Sequence, residues 1–130
     1  MVATASALTA KRGERLFVEL ASSESEVREA QALRYRVFGE ELGATLKAGP
    51  SGLDVDEFDA YCQHLLVRDA RTGEVVGCTR ILTDRKAARI GGFYSESEFD
   101  LGAIPRLKGR LLEVGRTCIS AEFRQGSAIA

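Results

Sequence analysis

Two rhythms of apolar and polar residues divide this chain. "RLFVEL" (15–20) is a short, β-favouring run and predicts a strand. "SSESEVREAQALRYRVFGEELG" (22–43) repeats at about 100° per residue, which sets Val27, Ala30, Val37 and Phe38 on one arc and predicts a helix. Ser22 or Ser23 can cap it, acidic residues crowd its first turn, and Gly43 ends it. "YCQHLLVRDA" and "EVVGCTRILT" predict two strands, and the glycine of "DARTGE" between them, Gly73, predicts an antiparallel hairpin. The second strand carries Val75, Gly77, Thr79 and Ile81 on one face and Val76, Cys78, Arg80 and Leu82 on the other. Both faces are largely apolar, so this strand is expected at the centre of a sheet. "DRKAARIGGFYSESEFDL" is a polar and aromatic connection, and "AIPRLKG" is expected to hold a short helical turn. "RLLEVGRTCIS" (110–120) is a last strand, after which "AEFRQGSAIA" turns and begins a helix. This order predicts an α/β or α+β sheet of mixed direction, without internal repeats.

Charges interrupt the apolar pattern at a few places. Arg34 and Glu41 fall inside the apolar arc of the helix. Either they sit at its rim and reach water, or Arg34 points into a polar pocket. Arg80 lies on a strand with two apolar faces and needs a partner or a wet cleft. Glu113 and Arg116 are three apart, an odd separation that places them on opposite faces of a regular strand. A β-bulge at Gly115 would turn both towards one cleft. They are then either a structural ion pair or a carboxylate that accepts a proton beside a cation that holds an anion.

Composition narrows the setting. The 130 residues suit one domain, with residues 15–130 forming it and the small-residue stretch 1–14 a disordered tail rather than a secretory signal. A net charge of −1 argues against a nucleic-acid partner. No apolar run is long enough to span a bilayer. Cys62, Cys78 and Cys118 are an odd number of widely spaced cysteines in apolar contexts, which points to reduced thiols and a cytoplasmic location. No thiol nucleophile is expected among them. A single histidine, His64, and the lack of a Cys-x-x-Cys pair argue against a metal site, and His64 is expected to be structural. "DVDEFD" (54–59) lacks the glycine and terminal glutamate of a calcium loop; it is either solvated or attracts a cationic substrate. In "EFRQGSA", Gly126 permits close approach of a ligand, the following helix start offers N–H groups to an anion, and Arg124 adds charge.

The ordered series "LRYRVFGEELG", "DEFD", "HLLV", "VVGCTRIL", "FYSESEFDL", "LLEVGRTCI" and "FRQGSAI" resembles the branch of the GNAT superfamily that makes lyso-ornithine lipid, the hemolysin-like ornithine N-acyltransferases. It is also similar to the acyl-homoserine-lactone synthases. The resemblance covers about residues 15–130. It implies a GNAT-like, mainly antiparallel central sheet flanked by helices, and transfer of a 3-hydroxyacyl group from acyl carrier protein, or from acyl-CoA, to the α-amine of ornithine. No bound cofactor is implied. By the same resemblance, Glu113, Asp56 and Asp59 are the candidates for proton transfer, and Arg34, Phe38, Arg80 and Arg116 for substrate binding. Arg124, Gly126, Ser127 and Ala128 would cradle the phosphopantetheine arm of the donor. The product implies peripheral contact with the inner membrane surface. The family's proteins are longer, so the chain is expected to be an N-terminal part, cut after its fourth strand. Two alternatives stay open: a homoserine-lactone synthase, disfavoured by the absence of tryptophan, and a non-catalytic module that binds the acyl carrier.

Overall fold

A computed structural model describes residues 15–41, 43, 52–97 and 111–124. The tail 1–14, the "AIPRLKG" turn and the residues Gly126, Ser127 and Ala128 lie outside the described residues. The chain opens with strand β1 (Leu16–Leu20) and helix α1 (Glu24–Arg34). Ser23 caps α1 by accepting the Glu26 amide at 3.2 Å, and Glu26 reaches back to the Ser22 amide at 2.8 Å. The helix does not run on to Gly43 as an α-helix. Residues Tyr35–Glu41 widen into a π-helical segment, so the 100° rhythm fails past Arg34.

A short 3₁₀ turn (Asp59–Tyr61) leads into β2 (Gln63–Asp69), and β3 (Val75–Thr83) returns beside it. Gly73, at φ +76°, makes the expected hairpin: its amide donates to the Asp69 carbonyl at 2.7 Å. The polar and aromatic connection contains helix α2 (Asp84–Ala87) and a 3₁₀ turn (Tyr94–Ser97) before β4 (Leu112–Ile119). The strands lie in the order β1-β2-β3-β4, and all three pairings are antiparallel, which fits the mainly antiparallel sheet expected and puts β3 inside it.

Helix α1 packs on one face of this sheet. Ala30 and Leu33, with Val37 beyond them, meet Leu66, Val75, Cys78 and Cys118. Burying each leucine contributes about 1.5–3 kcal/mol. A second cluster, Leu82, Ala87 and Phe93, closes the far end of the same face, with Phe58 and Tyr61 against it. His64 is buried between the two, its Nε2 3.0 Å from the Asp59 carbonyl oxygen, the structural role expected for it. Among the described residues no helix is long and apolar enough to cross a membrane.

The register puts Leu20, Leu65, Ile81, Val114 and Leu112 on the other face. Leu20, Leu112 and Val114 are 46%, 59% and 56% exposed, and β4 is an edge strand among those described. Such a surface favours association. This chain on its own is expected to elute above monomer mass in gel filtration with light scattering, and Leu112→Lys with Val114→Lys to shift it towards monomer. A concentration-independent monomer would contradict this.

Candidate active site

The acidic loop lies inward. The Asp54 amide donates to the Gln31 carbonyl at 3.0 Å, which hooks the loop to α1. Asp56 then accepts the amides of Phe58 (2.9 Å) and Asp59 (3.2 Å), so its side chain shapes the turn that aims Asp59 at the helix. Glu57 alone of the four acids is exposed.

Three arginines from three elements meet these aspartates. Arg34, the last residue of α1, is 1% exposed. Its Nε donates to Asp54 at 3.0 Å, and its Nη1 and Nη2 grip both oxygens of Asp59 at 2.9 and 2.8 Å. Nη2 also reaches the Asp54 carbonyl at 2.5 Å. Arg80, from β3, donates from Nη1 to Asp56 at 2.6 Å and to Asp59 at 2.9 Å. Arg116, from β4, reaches Asp54 at 2.7 Å and Asp56 at 3.5 Å. Each aspartate touches two arginines and each arginine two aspartates, so six charges cancel in a largely dry interior. Burial would raise the Asp59 carboxyl, but the Arg34 hydrogen bond and charge, with the Asp56 amide and Arg80, hold it down to about 2. Burial likewise opposes the charge on Arg34 and on Arg80, and the paired aspartates more than offset it, so both guanidinium groups are held protonated above the usual range. Of the two readings open for Arg34, the polar pocket is the one observed.

The β-bulge that would turn Glu113 and Arg116 towards one cleft is present, one residue beyond Gly115. Cys78 pairs with Cys118, but Arg80 pairs with Gly115, so Thr79 faces two residues of β4. Arg116 takes up the slack at φ +50°, the one described non-glycine residue in the left-handed region. A conformation of this kind costs about 1–3 kcal/mol, which its ion pair with the buried Asp54 helps to offset. The Thr79 hydroxyl stitches the kink, 3.2 Å from the Gly115 carbonyl oxygen and 2.7 Å from the Thr117 hydroxyl.

As a result Arg80, Glu113 and Arg116 line one cleft of about 430 Å³, together with Phe38, Phe58 and Tyr94. The Phe58 and Tyr94 rings meet edge to face at 5.4 Å. The Arg80 guanidinium lies 5.6 Å from the Phe58 ring centre and 5.7 Å from that of Tyr94, and Arg116 lies 5.7 Å from Tyr94. Glu113 is bonded differently from the aspartates. It accepts the Tyr94 amide at 2.9 Å on Oε1, and on Oε2 the Ser95 amide at 2.8 Å and the Ser95 hydroxyl.

A family model described as the acetyltransferase (GNAT) domain matches residues 33–130. The chain belongs to the GNAT family. It is 44% identical over 118 residues to a Rhizobium meliloti (strain 1021) protein named L-ornithine N(alpha)-acyltransferase, covering 84% of this chain and 40% of that protein. A Rhodobacter capsulatus protein of the same name is 41% identical over 122 residues, covering 86% of this chain and 46% of the relative. The chain thus spans less than half the length of these curated relatives. Among solved structures, the acyl-homoserine-lactone (AHL) synthase LasI superposes with a TM-score of 0.65 at 21% identity, covering 90% of this chain and 60% of that one, which shows a shared fold. TofI, solved in a ternary complex with an inhibitor and MTA, superposes at 0.60 with 25% identity, covering 82% of this chain and 57% of its own.

In this GNAT chain, the residues singled out in the sequence fall into three groups. Arg34, Asp56, Asp59, Arg80 and Arg116 form the ion network, joined by Asp54. Phe38 and Glu113 line the cleft. Arg124 is drawn to the surface, bonded to Glu41 and to the Ile119 carbonyl at 3.0 Å. Sequence reasoning passed over Phe58, Tyr94 and Ser95. The glycine pair Gly91–Gly92, both at positive φ, was the available signal that the chain turns sharply just before Tyr94. Cys62 also lines the cleft, where burial pushes its thiol up to about 11, so it is no thiolate at neutral pH.

Proposed function

We propose that the protein is an N-acyltransferase that moves a 3-hydroxyacyl group from acyl carrier protein to the α-amine of ornithine. The reading is carried by one observation: Arg80, Glu113 and Arg116 share a single cleft. An amino-acid acceptor needs a cation for its carboxylate and a proton acceptor for its ammonium, and a thioester arm needs an apolar wall. Arg80 engages the aspartates from Nη1 only, and the Arg116 side chain is 23% exposed, so these two offer donors to a substrate carboxylate. Phe38, Phe58 and Leu82 supply the wall. Relatives named L-ornithine N(alpha)-acyltransferase support the choice of acceptor.

In this reading the amine attacks the thioester carbonyl directly. Asp56 and Asp59 are held by arginines, so Glu113 is the carboxylate that takes the ammonium proton, directly or through water. Backbone N–H groups of the last strand stabilise the tetrahedral oxyanion, and the pantetheine thiolate leaves. The lipid-like product places the protein in the cytoplasm at the inner membrane surface, with the carrier protein as its soluble partner. The pantetheine cradle proposed for Arg124, Gly126, Ser127 and Ala128 belongs to this reading.

The test offers 3-hydroxyacyl carrier protein to the full-length protein with either ornithine or putrescine, which keeps both amines but lacks the carboxylate. Mass spectrometry is expected to find acyl-ornithine and little acyl-putrescine. Equal acylation of both would remove the carboxylate role of the two arginines, and no product from either would overturn the transfer reading.

A further inference from the structure

Glu113 is the carboxylate of the cleft wall that no arginine or lysine holds among the described residues: its three bonds all come from the neutral Tyr94–Ser95 segment. They are unequally shared. Oε2 accepts two donors, the amide and the hydroxyl of Ser95, while Oε1 accepts one, the Tyr94 amide. A carboxylate oxygen has two lone pairs, so Oε2 is saturated and Oε1 keeps one open. The backbone amides alone would hold the group by one donor on each oxygen and leave the two oxygens equivalent. The Ser95 hydroxyl breaks that symmetry.

We propose that Ser95 is a positioning residue for acyl transfer: its hydroxyl closes Oε2 of Glu113 and thereby makes Oε1 the oxygen that meets the substrate amine. This rests on the transfer reading above. Ser95 itself stays in place because its amide is bound to the carboxylate it orients, and it lines the cleft beside Tyr94. One proton passes from the ammonium nitrogen to Oε1, the nitrogen lone pair forms the bond to the thioester carbon, the C–S pair departs with the thiolate, and the second proton released by the new amide nitrogen goes to that thiolate. Ser95 neither gains nor loses a proton overall. In the absence of the hydroxyl the two amides still hold the carboxylate, but Oε2 then keeps an open lone pair and competes with Oε1 for the ammonium.

Ser95→Ala and Ser95→Thr in the full-length protein test this. Ser95→Ala removes one charge-assisted bond while both backbone amides remain, and is expected to lower kcat about tenfold. KM for ornithine should not change, and Ser95→Thr, which keeps a hydroxyl, should recover most of the rate. In a Glu113→Gln background, Ser95→Ala should cost nothing further, since the hydroxyl acts only through that carboxylate. An unchanged kcat, a change confined to KM, a threonine variant no better than alanine, or full additivity with Glu113→Gln would each overturn the proposal while leaving the transfer reading intact. A full-length wild-type protein that acylates nothing would sink both.

Discussion

Arg34→Met is expected to destabilise the domain by about 3–5 kcal/mol, the usual penalty for stripping one partner from a buried ion pair. Methionine matches the length of the arginine stem and leaves no large void, so lost packing would contribute little. Asp59 would lose the group that grips both its oxygens and Asp54 the donor at 3.0 Å, while both stay within a few per cent of full burial. Arg80 and Arg116 could not compensate, since each already serves two aspartates. In thermal denaturation the midpoint should fall by roughly 10 °C or more. Arg28→Met, at an exposed position of the same helix, should change stability by no more than about 0.5 kcal/mol. The acid limb of the same measurement carries a second signature. Asp59 is depressed from the ordinary 3.8 to about 2 in the folded chain, so its share of stability is complete above about pH 4 and disappears as the pH falls through about 2. That share is about 2 kcal/mol for a shift of this size, and it should be absent from the acid limb of Arg34→Met. A variant within about 1 kcal/mol of wild type would show that the network is not what holds the loop to the sheet.

Glu113→Gln is expected to lower kcat/KM for ornithine acylation by about 10²–10⁴-fold in the full-length protein, the range set by loss of a general base. The substitution also tests a second duty of this side chain. Two backbone N–H groups point at its two oxygens, and the glutamine amide can offer an oxygen to only one of them. The Tyr94–Ser95 turn should therefore loosen, which amide exchange at these two residues would report. Glu113→Asp keeps both oxygens but withdraws them by one methylene, so it separates charge from reach. A drop smaller than about tenfold in the glutamine variant would remove Glu113 from the proton-transfer step.

Much of this site could be read before any coordinates were known, because several residues violated the local pattern. A charge on a strand with two apolar faces, Arg80, needed a partner or a wet cleft, and Glu113 and Arg116 at their spacing could share one cleft only through a bulge. Neither inference could say where the partner lay. Asp54, Asp56 and Asp59 are 20 to 25 positions from Arg34, beyond the reach of any helical or strand periodicity. The bulge was expected at Gly115, yet the positive φ falls on Arg116. Its long side chain is tied to Asp54 and Asp56, and those tertiary bonds outweigh the local preference. The π-helical segment had no signal of its own, since Tyr35–Glu41 reads like the α-helix before it. Helix α2 and the Tyr94–Ser97 turn, at four residues each, are too short for periodicity to register. Distant groups fix them instead: the Asp84 amide on the Leu111 carbonyl at 3.0 Å, and Glu113 on the turn.

Thr79 facing two residues of β4 has a consequence for insertions and deletions. The side chains at 113 and 118 share a face of the sheet only because one surplus residue lies between them. Deleting Thr117 would restore strict alternation, leave the glutamate and the buried cysteine on that face, and turn Arg116, then three positions from Glu113 on a regular strand, to the opposite one. Many substitutions in that stretch preserve the count; a lost codon does not. For a protein engineer, this short piece of strand is tolerant of spelling and intolerant of length.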